Sequence, residues 1–171
     1  KEPVGYGNTR LIGGIVAHTG LDPEDDPRAF LEDLVRSGEG LADRRLCEVV
    51  AEESPRAAET MERFGAFLGR DPQGRFPPPR AFIRAGGHGR ARSLLIPGKG
   101  QALGWALRTA AQRAGVELHE ETMAAELLVE GGRVIGAVCL NLLEGRPFVV
   151  LAKRTVLATG GGGWLYWPHT D

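Results

Sequence analysis

The chain has 171 residues, 42% of them apolar and 25% charged, with a formal net charge of −1. That balance describes a soluble globular domain with a core of useful size, and it excludes a disordered tail or a small disulfide scaffold. Near-zero net charge offers no general attraction to nucleic acid or an anionic membrane, and no apolar run reaches the ~18 residues of a membrane helix.

Residues 1–27 are rich in Gly and Pro around one apolar stretch, Ile15-Val16-Ala17, and predict loop with at most a short strand. From Pro27 the pattern turns helical: Phe30, Leu31, Leu34 and Val35 share a face, with Gly38 past the end. A second helix is predicted over 41–53, burying Leu46, Val49 and Val50. Ser54-Pro55 then reads as the cap and first-turn proline of a third, which turns Ala58, Met61 and Phe64 inward and closes at Gly65. Residues 69–97 read as a long irregular stretch containing Pro77-Pro78-Pro79 and Gly86-Gly87-His88-Gly89. So long a loop in a compact domain is either functional or conceals an element. Its basic residues, Arg80, Arg84, Arg90 and Arg92, gather around His88, with Lys99 just beyond.

After Gly100 the stripe Leu103, Ala106, Leu107, Ala110, Ala111 and Ala114 predicts the strongest helix, ending at Gly115. Strands are expected at 116–119, 123–130 and 133–141, the last two joined by a Gly131-Gly132 hairpin turn, and at 147–151 after Glu144-Gly145. The last apolar run, Thr155-Val156-Leu157-Ala158, reads as a short buried strand that enters Thr159 and four glycines. The predicted class is α+β: a helical N-terminal half, then a helix, largely antiparallel strands and one terminal buried strand.

A buried strand running into glycines lets main chain approach a ligand more closely than any Cβ permits, although a plain flexible turn has the same spacing. The arginines near His88 suit an anionic group because guanidinium pairs carboxylate bidentately; a solvated basic loop is the alternative. His88 has a suitable pKa for proton transfer, yet no carboxylate stands at a fixed spacing from it. On pattern alone, Asn8-Thr9 is a turn-former and Met123-Ala124 is core packing. Cys47, Cys139, His18, His88, His119 and His169 lack metal-ligand spacing. The two cysteines read as reduced thiols of a cytoplasmic protein, with one disulfide left open. Glu120-Glu121 and Asp25-Asp26 are adjacent pairs whose side chains diverge, so no carboxylate dyad is indicated.

Val156-Leu157-Ala158-Thr159-Gly160-Gly161, preceded by Lys153-Arg154, resembles the V-L-A-T-G-G signature of flavoproteins with a glutathione-reductase-like, α/β FAD-binding fold. Gly132-Arg133-Val134-Ile135-Gly136, Asn141 and Glu144-Gly145 precede it in the order of the succinate dehydrogenase/fumarate reductase flavoprotein family. Asn8-Thr9-Arg10 with Gly13-Gly14-Ile15 is similar to that family's Gly-Gly segment beside the isoalloxazine. The stretch from Asp25-Asp26-Pro27 to Gly40-Leu41-Ala42-Asp43 resembles its helical insertion. Gly86-Gly87-His88-Gly89-Arg90-Ala91-Arg92-Ser93 is similar to the G-G-H-S-x-x-R stretch of L-aspartate oxidases. These matches are collinear and cover nearly the whole chain.

The resemblance implies an internal piece of an FAD-dependent oxidoreductase, with 1–171 as an incomplete FAD-binding domain. Within it, 27–68 is the helical insertion, 69–97 a loop, and 98–163 a helix, β-meander and terminal strand. The family's G-x-G-x-x-G turn and F-H-P-T-G stretch do not occur in the sequence, so the catalytic residues are expected elsewhere and the chain alone is expected to be inactive. Covalent members place a His just before the Gly-Gly segment; Tyr6-Gly7-Asn8 stands there, which implies non-covalent FAD. The cofactor-binding positions implied are Asn8, Thr9, Gly13 and Gly14 at the flavin or pyrophosphate. Thr122, Met123 and Ala124 would border the adenine, and Ala158, Thr159, Gly160 and Gly161 would lie along the dinucleotide. His88, Arg90 and Arg92 are the substrate-side candidates, for a small dicarboxylate-like substrate and hydride transfer through flavin N5. Self-association or a redox partner subunit would cover exposed apolar surface at 156–158; neither nucleic acid nor direct membrane insertion is implied. The rival reading is a stand-alone α+β module that binds an anionic ligand or protein partner through 69–99 without catalysis, and a third is a purely structural fragment. The terminal strand discriminates, since a self-sufficient module would pair it internally.

Overall fold

The computed structural model describes residues 7–17, 24–66, 84, 86–162 and 165. A 3-10 turn at Asn8–Leu11 leads into strand β1, Gly14–Val16. Helix α1 occupies Pro27–Ser37. The Asp26 carboxylate sets its start by accepting a 2.7 Å hydrogen bond from the Ala29 amide. Pro27 in the first turn sacrifices only an N–H that has no helical partner there. Phe30 and Asp33 are buried, while Leu31, Leu34 and Val35 are half-buried.

Where the sequence predicts two helices, 41–53 and a third after Ser54-Pro55, there is one. Helix α2 runs Arg44–Arg63 through Pro55, capped by Asp43, which accepts from the Arg45 amide at 2.8 Å. Proline removes the N–H that would bond the Ala51 carbonyl, and Ser54 Oγ donates to that carbonyl instead at 3.5 Å. The Ser-Pro pair therefore patches a helix interior rather than starting a new helix. Burial differs from expectation too. Ala51, Ser54 and Ala58 form the inward seam, whereas Leu46, Val49 and Val50 remain 66%, 56% and 46% exposed. Small residues let the α2 backbone approach its neighbours, and the larger ones occupy its open side.

Strand β2, Ser93–Leu95, lies inside the stretch expected to be loop. It pairs antiparallel with β1 through Gly14↔Leu95, Ile15↔Leu94 and Val16↔Ser93. Three residues with a partner far upstream leave no local alternation to detect. Helix α3, Lys99–Arg113, follows directly. A Cβ on its Gly100 would lie 1.7 Å from the Thr9 carbonyl oxygen, so any other residue would force the helix off the Asn8–Leu11 turn. The Gly100 amide also donates to the Ile12 carbonyl at 2.8 Å. Between these elements lies the core, where Ala17, Ala58, Ala66, Leu94, Ile96 and Leu103 are buried together with Ile15, Met61 and Leu107 packed against them.

Strands β3 (Thr122–Glu130), β4 (Arg133–Asn141) and β5 (Arg146–Leu151) form an antiparallel meander. Gly131 and Gly132 both take positive φ, 55° and 75°, the backbone twist that suits a two-residue hairpin. At the second turn Asn141 Oδ1 accepts from the Leu143 and Glu144 amides, each at 3.0 Å. The class is α+β, as the sequence predicts.

Two expected strands are not formed. Residues 116–119 join no sheet; Glu117 and His119 pair with each other at 3.0 Å instead. Residues 155–160 join none either, and Val156 and Leu157 are 85% and 67% exposed rather than buried. An apolar run becomes a buried strand only when a neighbouring strand satisfies its amides and carbonyls, and no described residue does so here.

Candidate functional site

The N-terminal positions expected at the flavin differ in how closely the fold surrounds them. Asn8 and Thr9 sit exposed in the 3-10 turn, Gly13 precedes β1, and Gly14 pairs with Leu95. A Cβ on Gly14 would lie 2.3 Å from the Leu94 carbonyl oxygen, so strand pairing alone demands this glycine. At Gly13 a Cβ would meet nothing within 4 Å. Thr122, Met123 and Ala124 open β3 opposite Asn141, Leu140 and Cys139. Met123 is 46% exposed and Ala124 is exposed, so neither is core. Ala158, Thr159, Gly160 and Gly161 are exposed, and Gly160, at φ 80°, faces open space where a Cβ would stand. The three groups sit on separate elements, the first tied to α3 and β2 and the second to β4. Main chain at Gly13 and Gly160 is open where a Cβ would stand, so nothing at these two positions blocks a flat ligand laid along it.

A second constellation centres on Arg92, which is 1% exposed. Its Nε and Nη2 donate to Asp25 at 3.0 and 2.7 Å, and its Nη1 donates to Asp33 at 2.6 Å. The Phe30 ring centroid lies 4.7 Å from the guanidinium carbon. Asp33 also accepts from the Gly89 amide at 2.7 Å and from Arg36 Nη2, which ties α1 to the glycine loop. Burial pushes the Asp33 carboxyl up, but hydrogen bonds from Arg92, Gly89 and Arg36 outweigh it and hold the pKa at about 2. Burial likewise opposes the Arg92 charge, and the bonds to Asp25 and Asp33 raise its pKa regardless. Arg92, expected on the substrate side, is thus engaged by carboxylates of its own chain. Those partners lie 67 and 59 residues upstream, in the stretch that resembles the helical insertion, which does not itself tie them to Arg92. The one signal that the sequence carries is a charged Asp33 on the inward face of α1.

Arg92 Nη1 also lies 2.9 Å from His88 Nδ1. A guanidinium can only donate, so Nδ1 accepts and the ring proton resides on Nε2. Burial first, and then the Arg92 charge, lowers the His88 pKa below 6.5, leaving the imidazole neutral at neutral pH. Arg90 bonds Glu24 through an Nη1–Oε2 pair at 3.1 Å and through the Glu24 carbonyl at 3.3 Å. Arg84 Nε donates to the His88 carbonyl at 2.6 Å. Arg36, Arg84, His88 and the surrounding glycines line an open cleft of about 670 Å³. Tyr6, His18, Pro77-Pro78-Pro79, Arg80, Gly163 and His169 lie outside the described residues. Cys47 and Cys139 are free. Among the described residues no three His, Cys, Asp or Glu side chains gather as a metal site, and no helix is long and apolar enough to cross a membrane.

The described elements form an α+β unit with open glycine main chain at Gly13 and Gly160. The chain belongs to the FAD binding domain family, which it matches over residues 1–170, among the fumarate reductase, succinate dehydrogenase and L-aspartate oxidase flavoproteins. FAD is the family's cofactor. The chain is 33% identical over 147 residues to a subunit of the CoM/CoB fumarate reductase of Methanothermobacter marburgensis, covering 85% of this chain and 26% of that protein. It is 32% identical over 166 residues to the L-aspartate oxidase of Mesorhizobium japonicum, covering 93% and 30%. An E. coli quinol fumarate reductase structure superposes with a TM-score of 0.79 at 25% identity, over 93% of this chain and 26% of that one. The chain therefore spans under a third of the length of these relatives.

Proposed function

We propose that the protein is an FAD-dependent oxidoreductase that passes a hydride between flavin N5 and a small dicarboxylate-like substrate, with this chain forming part of the cofactor wall. One observation carries the reading. Residues 155–160 present exposed Val156 and Leu157 and then open glycine main chain, without a ladder partner among the described residues. Such a run suits a surface that other polypeptide and a ligand cover, and it does not suit a self-contained anion-binding module. The names of the relatives, fumarate reductase and L-aspartate oxidase, supply the substrate class, since fumarate and aspartate are both four-carbon dicarboxylates.

When bound, FAD supplies the redox chemistry, and the protein supplies orientation and charge. In this reading Asn8, Thr9, Gly13 and Gly14 face the flavin or pyrophosphate, Thr122, Met123 and Ala124 border the adenine, and Ala158, Thr159, Gly160 and Gly161 follow the dinucleotide. FAD is held non-covalently, because Gly7-Asn8 precedes the Gly-Gly segment and offers no histidine for attachment. Arg92 acts from behind, fixing the loop that carries His88 and Arg90 on the substrate side. A redox partner subunit covers the 156–157 surface, in keeping with the word "subunit" in the names of several relatives.

The test uses the full-length protein. It should purify yellow, release its flavin on acid precipitation, and show flavin bleaching by succinate or L-aspartate, or reoxidation of reduced flavin by fumarate. Colourless protein that fails to take up added FAD, or bound flavin that none of the three compounds affects, would overturn the proposal.

A further inference from the structure

We infer that helix α3 spaces the two ends of the bound dinucleotide, and that Arg108 and Glu120 are positioning residues that fasten its adenine end. This deepens the flavin reading and rests on it, because Asn8, Thr9 and Gly13 at one end and Thr122, Met123 and Ala124 at the other are the positions named there.

The first turn of α3 holds the flavin-side segment. The Gly100 amide donates to the Ile12 carbonyl at 2.8 Å, and the Ile96 amide just before the helix donates to the Gly13 carbonyl at 3.3 Å. The missing side chain at Gly100 admits the Thr9 carbonyl. Farther along the same helix, about 12 Å of rise from Gly100, Arg108 Nη1 donates to Glu120 Oε1 at 2.6 Å. Both side chains are half-buried. The guanidinium carbon also lies 5.9 Å from the ring centroid of Trp105, one turn back on α3. Glu120 in turn carries the start of β3. Its carbonyl accepts from Thr122 Oγ1 at 3.0 Å, and the neighbouring Glu121 carbonyl accepts from the Leu142 amide at 2.8 Å. Glu121 takes a φ of 47°, a left-handed conformation that a residue with a side chain keeps only where its surroundings hold it.

The fastening matters because little else joins the two halves. Residues 114–121 lead from α3 to β3 without forming a helix or strand. Among the described residues, β3, β4 and β5 meet α1, α2 and α3 only marginally. A dinucleotide that touches both halves binds as two linked modules. Its affinity depends on how firmly the second half is presented once the first is seated. A ligand for one end alone gains nothing from that spacing. An ion pair of this exposure contributes modestly, so its removal gives a graded loss of affinity and leaves the fold intact.

The experiment removes flavin from the full-length protein and titrates FAD and FMN into the apoprotein by flavin fluorescence, with AMP followed by its displacement of FAD. Arg108→Gln and Glu120→Gln should each weaken FAD about fivefold, and the double variant should be no worse than either. Exchanging the charges, Arg108→Glu together with Glu120→Arg, should restore most of the loss. FMN and AMP should bind the variants as they bind the parent. Unchanged FAD affinity in both single variants, no recovery in the charge-exchanged protein, or an equal loss for FMN and AMP would overturn the inference. A parent apoprotein that takes up no FAD would overturn the flavin reading and this inference with it. A parent that binds FAD while the variants match it removes only the role of Arg108 and Glu120.

Discussion

Arg92 illustrates how a residue can matter to a site without touching a ligand. It is sequestered with Asp25 and Asp33, and truncating one member of such a buried set strands the others' charge. Arg92→Leu should therefore destabilise the protein by about 3–5 kcal/mol, seen as a lower urea midpoint with an unchanged slope. Asp33 gives a pH signature. Its pKa falls from 3.8 to about 2 on folding, so the unfolded state binds the proton more readily. The stabilisation is complete above 3.8 and is lost as pH falls through 2. It amounts to about 2 kcal/mol for a buried group shifted this far. Urea titrations across that window should show the loss in the parent protein and a flattened profile in Asp33→Asn. Sequence reading picks out the arginine cluster around His88 but not the carboxylates that engage Arg92. The partners that neutralise Arg92 lie beyond any local window, and a helix-face pattern counts Asp33 as an exception rather than as the anchor it is.

Local signals at helix ends succeed among the elements where chemistry and geometry coincide. Asp26-Pro27 starts α1, and Gly131-Gly132 turns the hairpin. They mislead where one residue pair serves two purposes. Ser54-Pro55 resembles a helix start, yet in α2 the serine hydroxyl repairs the carbonyl that the proline orphans. Strand β2 escapes notice because its partner β1 is remote, and the runs at 116–119 and 155–158 carry strand composition without a neighbour to pair with among the described residues. Contact between elements also yields a sharp prediction. Gly100→Ala places a methyl group against the Thr9 carbonyl and should cost about 1–3 kcal/mol. Faster amide hydrogen exchange confined to the first turn of α3 would locate the damage; an unchanged exchange pattern would show that the Asn8–Leu11 turn yields freely.

At the scale of the whole molecule, the family is legible from collinear motifs, and the α+β class from periodicity. Three-dimensional detail of the cofactor wall is not, because it depends on polypeptide that the motifs only imply. The sequence has no G-x-G-x-x-G turn, the element that brings amides of a helix N-terminus to a pyrophosphate. Expressed as these 171 residues alone, the polypeptide should purify without flavin and self-associate through its exposed apolar runs. A yellow monomer by absorbance and light scattering would contradict both expectations.

The β1–β2 ribbon has one more consequence, for engineering. Because Val16 pairs with Ser93, the polypeptide between them departs from and comes back to a single point. Closure entropy rises only logarithmically, about 0.6 kcal/mol for each doubling of length, so the exposed turn at 39–41 between α1 and α2, on this excursion, can gain residues cheaply while the ribbon keeps its alignment. A reporter peptide grafted at that turn stands apart in sequence from the glycine segments at 13–14, 86–89 and 160–161.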